Sequence, residues 1–215
     1  MADKYSVMLV DDHPLLLKGL KQLLEFEDDI EVVAEANNGP DAIKKAVELD
    51  PDLIVLDLNM HGMDGIETLK GMRKEAVTSR IVMLTVSDAD EDVVEAISSG
   101  ADGYLLKDMD PEQLLEQLRR SLNGKMVLSE AVTEILATAI RKPAPRHQAD
   151  LNNLTNREYE ILALIAKGMS NKVIARELDI SDGTVKVHVK HLLKKLGLRS
   201  RVEAAVWMVN QQGNN

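Results

Sequence analysis

The feature that most constrains this chain is a strict alternation, from residue 5 to residue 122, of short aliphatic runs with longer segments whose apolar residues recur at helical spacing. A run that is apolar on both faces must be covered on both, so the pattern predicts a parallel sheet sandwiched between helices. Strands are expected at Tyr5–Val10, Ile30–Glu35, Leu53–Asp57, Ile81–Thr85 and Gly103–Leu106. Helices are expected near 14–26, 39–49, 65–76, 89–98 and 111–122, with Pro14 and Pro111 suited to a first turn. The result is a doubly wound α/β domain of five parallel strands, with 2-1-3-4-5 as the common order for this size.

Beyond Asn123-Gly124 the pattern changes. A short apolar piece, Met126–Leu128, leads into a helix-like stretch from Ser129 to about Ile140. Residues 141–150 then carry two prolines and almost no large apolar side chain, the composition of an exposed tether. From Leu154 to Gln211 only helical periodicity remains, in four pieces near 156–166, 171–178, 182–196 and 200–211. We therefore expect an α/β domain over 1–124, a linker over 125–150, and an all-α four-helix domain over 151–215. Charge divides at the same place. Residues 1–150 hold 16 Lys+Arg against 30 Asp+Glu, a net charge of −14, and residues 151–215 hold 10 against 6, a net charge of +4. Only the second domain is suited to meet a polyanion. With no cysteine and no stretch near the roughly 18 apolar residues of a membrane span, a soluble cytoplasmic protein is expected.

The polar residues of the first domain gather at the carboxyl ends of the strands, where open α/β sheets place their chemistry. The first strand runs into Asp11-Asp12, the third ends in Asp57, the fourth ends in Thr85 and the fifth is followed by Lys107. Carboxylates brought together repel unless a cation offsets them, and an oxygen-only donor set favours magnesium. Asp57 is then a candidate nucleophile towards phosphorus, with Lys107 and Thr85 positioned to meet the equatorial oxygens. An aspartate after a strand is ordinary turn chemistry taken singly, and it is the coincidence of all five residues that points to a site. No nucleotide-cradling glycine loop is present.

The segments Val10-Asp11-Asp12-His13-Pro14, Leu56-Asp57-Leu58-Asn59-Met60, Leu84-Thr85-Val86-Ser87 and Ala101-Asp102-Gly103-Tyr104-Leu105-Leu106-Lys107 together resemble a two-component response-regulator receiver over residues 5–122. The resemblance implies that Asp57 accepts a phosphoryl group from a sensor histidine kinase. It further implies that Asp12, Asp57 and the Asn59 backbone carbonyl hold magnesium while Asp11 assists, that Thr85 and Lys107 contact the phosphoryl group, and that Tyr104 is an aromatic switch. The only catalysis implied is of the receiver's own phosphorylation and dephosphorylation. Two residues depart from the pattern. His61 replaces a usual proline, and Asp108 follows Lys107 where proline often stands, so a cis bond there would cost about 2.5–4 kcal/mol.

In the second domain, Ser181 can cap a helix whose Val185, Val189, Leu192, Leu193 and Leu196 form a buried stripe. Lys186, Val187 and Lys190 lie on another face, either as a solubilising surface or as the reading face of a recognition helix. Lysine can donate to guanine and valine can touch a thymine methyl. His188 and His191 lack a third partner for zinc. Leu154-Thr155-Asn156-Arg157-Glu158, Lys172-Val173-Ile174-Ala175 and Thr184-Val185-Lys186-Val187-His188 resemble the LuxR/FixJ-type helix-turn-helix output domain. With Met126–Glu130 and Arg201–Trp207 added, the whole chain is most similar to nitrate/nitrite response regulators of the NarL type. That resemblance implies DNA contacts by Lys186, Val187 and Lys190, and a dimer contact by Val202, Val206 and Trp207. The implied partners are a sensor histidine kinase, promoter DNA, a second copy on DNA when phosphorylated, and RNA polymerase. Gly183 softens the first helical turn, at about 1 kcal/mol relative to alanine.

Two rival classes fit the residues less well. An aspartate-nucleophile phosphatase places a second acid two residues after its nucleophile, on the first strand, whereas Asn59 holds that spacing here, after the third. A ligand-sensing quorum regulator has an aromatic-rich signal pocket, whereas residues 1–150 contain only Tyr5, Phe26 and Tyr104 as aromatics of this kind.

Overall fold

A computed structural model describes residues 4–128, residue 133 and residues 151–212. The first domain alternates β1 (Tyr5–Val10), α1 (Pro14–Glu25), β2 (Ile30–Ala36), α2 (Gly39–Leu49), β3 (Leu53–Leu56), α3 (Gly65–Lys74), β4 (Arg80–Thr85), α4 (Asp90–Ser98), β5 (Gly103–Leu106) and α5 (Pro111–Leu122). The sheet order is β2-β1-β3-β4-β5 with one strand more than expected. This sixth strand, β6 (Val127–Leu128), runs parallel to β5 and pairs with Gly103 and Tyr104. Two residues are too few to display the two-residue period by which a strand is recognised, and the apolar piece Met126–Leu128 gave no other sign of it. The helix expected from Ser129 to Ile140 and the tether over 141–150 lie outside the described residues, apart from Thr133, which is helical.

Alternation along each strand divides the interior in two. Met8, Val10, Ile54, Leu56, Ile81, Met83 and Tyr104 face α2, α3 and α4, while Val7, Leu9, Leu53, Val55, Val82, Leu84 and Leu105 face α1 and α5. Each fully buried large aliphatic side chain contributes about 1.5–3 kcal/mol, so both helical layers are needed to hold the sheet. Local chemistry sets the helix starts. Pro14 and Pro111 sit in their first turns, the Asn38 side chain accepts from the Asp41 amide, and Asp64 with Glu67 forms a capping box.

The second domain opens with a 3-10 turn (Leu151–Asn153) and packs α6 (Asn156–Ala166), α7 (Asn171–Glu177), α8 (Asp182–Leu196) and α9 (Arg201–Gln212). Thr155 and Glu158 form a capping box, Ser170 and Ser181 cap α7 and α8, and Gly197 closes α8 at φ 66°. The stripe expected on α8 is buried and packs against Ile161, Ile165, Ile174 and Trp207.

One buried ion pair fastens α3 to the sheet. Arg73 Nη2 lies 2.7 Å from Asp102 Oδ2, and the guanidinium also donates to the carbonyls of Val77, Ser79 and Gly100. Asp102 Oδ2 accepts from the Ile81 amide at 2.9 Å as well. Removing one member of such a pair leaves a buried charge without compensation. Asp102→Ala should therefore lower stability by about 3–5 kcal/mol, read as a shift of the urea unfolding transition.

Candidate phosphoryl-acceptor site and DNA interface

Parallel pairing continues one residue past the strands and so fixes the site. The Asp11 amide donates to Ala36 O at 3.1 Å, the Asp57 amide to Val10 O at 2.8 Å, and the Lys107 amide to Thr85 O at 2.8 Å. Three backbones thus deliver three side chains to one rim. α3 begins directly against the middle one, where a Cβ on Gly65 would lie 2.1 Å from Asp57 O.

Lys107 Nζ bridges the carboxylates, 2.7 Å from Asp11 Oδ2 and 2.9 Å from Asp57 Oδ1. Asp57 Oδ2 is buried without a hydrogen-bond partner among the described residues. Donor atoms of Asp11, Asp12, His13 and Asp57 all lie within 4.8 Å of one another, a spacing suited to a metal ion. Burial pushes the Asp57 carboxyl above the usual carboxylate range; Lys107 pulls it down and Asp11 pushes it up. For Asp12 burial also acts upwards, but hydrogen bonds from His61 and the nearby His13 outweigh it and leave the group below the usual range. An orphaned carboxylate oxygen among three acids is the chemistry of a cation site, and the acids fit magnesium.

The other expected residues flank this cluster. Thr85 is fully buried, and its hydroxyl oxygen accepts from Asn59 Nδ2 at 3.3 Å and from the Ser87 amide at 3.2 Å. Tyr104 is buried in the core with its hydroxyl donating to Ser87 O at 3.0 Å, and its phenol is pushed up to about 12, first by burial and then by Asp92. The His61 amide donates to Asp12 Oδ2 at 3.0 Å, and its ring Nδ1 also contacts that oxygen. No cis peptide bond occurs among the described residues, so the Lys107–Asp108 link is trans.

The expected DNA-reading face of α8 turns towards the first domain. Lys186 Nζ donates to Asp50 O at 2.5 Å and lies 3.8 Å from Asp52 Oδ1, while Val187 stays half-exposed. Lys172 lies 3.2 Å from Asp52 Oδ2 and over the Tyr5 ring at 4.7 Å, and Arg199 donates to Ser98 O at 2.6 Å. Burial pushes Asp50 up, although Lys186 opposes it. The backbones touch as well, since a Cβ on Gly124 would lie 1.8 Å from Gly168 O. Of the residues assigned to a dimer contact, Val206 is exposed and Val202 half-buried, but Trp207 is buried in its own domain's core. Its side chain joins the apolar cluster of the second domain.

Asp50, Asp52 and Lys172 were not foreseen as functional. Asp50 and Asp52 stand just before β3, outside both motif sets, and Lys172 lies inside one motif segment on α7 with nothing there to pair it with the first domain, so the −14 and +4 charge split was the only signal of their contact.

Residues 7–119 match the response regulator receiver domain family, and residues 152–208 match the bacterial regulatory proteins of the luxR family. The chain is 56% identical over 203 residues, 94% of each chain, to the nitrate/nitrite response regulator protein NarL of Escherichia coli K12. It is 50% identical over 212 residues, 99% of this chain and 98% of the relative, to NarP of the same strain. A solved complex of the two-component response regulator RcsB with DNA aligns at TM-score 0.58 and 25% identity, covering 96% of this chain and 98% of that one. The chain therefore belongs to the response regulators that join a receiver to a LuxR-type DNA-binding domain. Within them it is of the NarL type, and it is a DNA-binding regulator rather than a classical enzyme. Among the described residues no helix is long and apolar enough to cross a membrane.

A raised Asp57 means that the folded state binds its proton more tightly than the unfolded chain does. Asp57 then favours folding below the usual carboxylate range and loses that contribution as pH rises through its folded value. At pH 7 with a chelator present, Asp57→Asn should raise the urea midpoint, and the gain should shrink as pH falls into that window.

Proposed function

We propose that Asp57 accepts a phosphoryl group from a sensor histidine kinase and that the modification controls DNA binding by α8, in nitrate/nitrite-responsive genes as the names of the relatives suggest. The observation that carries the first half is the buried, unpartnered Asp57 Oδ2 beside Lys107. In this reading Asp57 Oδ2 attacks phosphorus, the P–N bond of the phosphohistidine breaks, and its electron pair leaves with the imidazole. Asp12, Asp57 and the Asn59 carbonyl would hold magnesium, which supplies charge neutralisation at the phosphoryl oxygens. Lys107 meets one of those oxygens and the Thr85 hydroxyl another, so Thr85 exchanges its Asn59 contact for the new group. With Thr85 drawn in, Tyr104 acts as the switch by leaving Ser87 O. Asp57→Asn should lose labelling by acetyl phosphate, and undiminished labelling of that variant would place the acceptor elsewhere.

The second half rests on Lys186, whose ammonium is engaged by Asp50 and Asp52 in place of DNA. The unphosphorylated receiver thereby engages Lys186, while Val187 and Lys190 stay exposed along the cleft between the domains, where the receiver stands in the way of a duplex. Release lets these residues reach base edges, with a dimer on DNA joined through the α9 surface at Val202 and Val206 and with RNA polymerase as the neighbour at the promoter. This reading assigns the protein to the cytoplasm, where promoter DNA and a kinase-held phosphoryl group would both be at hand. Without a phosphodonor, a full-length Asp50→Asn/Asp52→Asn variant and a fragment covering 151–215 should each bind operator DNA about tenfold more tightly than the intact chain, a gain of about 1.4 kcal/mol. Wild-type affinity in both would exclude occlusion. Lys186→Ala should weaken specific binding by the fragment by about 1–3 kcal/mol, measured by fluorescence anisotropy.

A further inference from the structure

The ion pairs across the seam between the domains, Lys172 with Asp52 and Lys186 with Asp50 and Asp52, set cation against acid. Two arginines at the same seam have no acid of their own. Arg80 opens β4 in the first domain and Arg201 opens α9 in the second, and both line one cavity together with Tyr5, Asp52, Asn171 and Lys172. Arg80 is 3% exposed and Arg201 5%. Neither forms an ion pair among the described residues. Arg80 donates to Ser121 Oγ at 3.3 Å and Lys125 O at 2.7 Å, and Arg201 donates to Asn171 Oδ1 at 3.0 Å and to Met169 O. Arg80 Nη1 and Arg201 Nε are left without a hydrogen-bond partner among those residues.

A buried charge without a counter-charge is costly, and here two of the same sign are buried side by side. Burial pushes the Arg201 guanidinium down to about 9 and Arg80 pushes it the same way, while Asp102 and Asp182 pull it up. The cavity is lined by three cations, Arg80, Lys172 and Arg201, against one acid, Asp52, a net charge of +2. That acid is already engaged by Lys172 at 3.2 Å and by the Ser6 amide and hydroxyl. α9 is 12 residues long and begins at Arg201, so the positive pole of its dipole adds to the same field. The cavity measures about 10 Å³, room for one particle of about the size of water. An anion that fits is therefore monoatomic. Chloride is of that kind, and guanidinium is weakly hydrated and gives up its water readily to such a partner.

We propose that the seam is a chloride site, in which Arg80 of the receiver and Arg201 of the DNA-binding domain share one halide ion. Each domain supplies one guanidinium, so the complete site exists only while the domains are docked. An ion bound to the docked arrangement alone favours it by mass action. Chloride is then an effector that opposes release of the second domain. The consequence for DNA rests on the occlusion proposed for the receiver, but the binding is measured with no DNA and no phosphodonor, so the two readings fail separately.

The test is chlorine NMR line broadening by the unphosphorylated full chain, titrated with chloride in a gluconate background of constant ionic strength, with hydrogen exchange of residues 168–173 followed in parallel. Wild type should give saturable broadening that bromide reverses, and the seam amides should exchange more slowly in chloride than in gluconate. Arg80→Gln and Arg201→Gln should each weaken chloride about tenfold or more, whereas Lys44→Gln, which removes an exposed charge on α2, should leave it at wild-type strength. Unchanged chloride binding in both arginine variants, or equal loss in Lys44→Gln, would overturn the proposal. The two arginines lie in different domains, so if one variant fails to fold the other carries the comparison. Wild type decides the matter even without them: the absence of saturable broadening, or seam exchange that ignores chloride, means that the cavity holds water and no ion.

Discussion

Lys107 lets the rest of the site exist. Two unit charges 4 Å apart repel by about 4 kcal/mol at an effective dielectric constant of 20, so Asp11 and Asp57 could not be buried together without a cation between them. The ammonium that bridges them comes from the end of β5, two strands away from β3 in the sheet. It arrives there because parallel register puts the carboxyl ends of β1, β3 and β5 on a common rim. The packing of both helical layers therefore serves an electrostatic end, since a slip of the sheet would separate the lysine from its acids. Arg73 and Asp102 do comparable work at the opposite rim, where they tie α3 to the starts of β4 and β5.

The contacts with the second domain lie at that opposite rim. Tyr5 opens β1, Asp50 and Asp52 precede β3, and Ser98 lies at the end of α4 before β5. A strand of about six residues separates these positions from the acid cluster, which at about 3.3 Å per residue is roughly 20 Å. Among the described residues no side chain belongs to both rims. Under the proposed switch, any influence of Asp57 on Lys186 would pass through the packed sheet and its helices, beginning at Thr85 and Tyr104.

Much of this was legible in the sequence because its signals are local or repetitive. The five main strands announced themselves as aliphatic runs, and Asp11, Asp12, Asp57, Thr85 and Lys107 each stand directly at a strand end. β6 was missed because Val127 and Leu128 have no period to show. The docking contacts were illegible for another reason: Lys186 and Asp52 are 134 positions apart, and nothing in either segment specifies the other. The burial of Trp207 was not legible either, because the resemblance gave it only as part of a dimer contact and its place in the core follows from the packing of α9 on the other helices. His61 stood out as a departure from the family pattern, but its contact with Asp12 needed the loop's path in three dimensions.

The separation of the two rims has an evolutionary consequence. If the acid rim receives the phosphoryl group and the opposite seam holds back α8, as proposed, the two share only a hydrophobic sheet, so each can drift while the other is held by selection. After gene duplication, one copy can change residues around the acid rim, and another can change those around Asp50 and Asp52. Neither lineage has to rebuild the five parallel strands between them, which makes this architecture well suited to diversification by small steps.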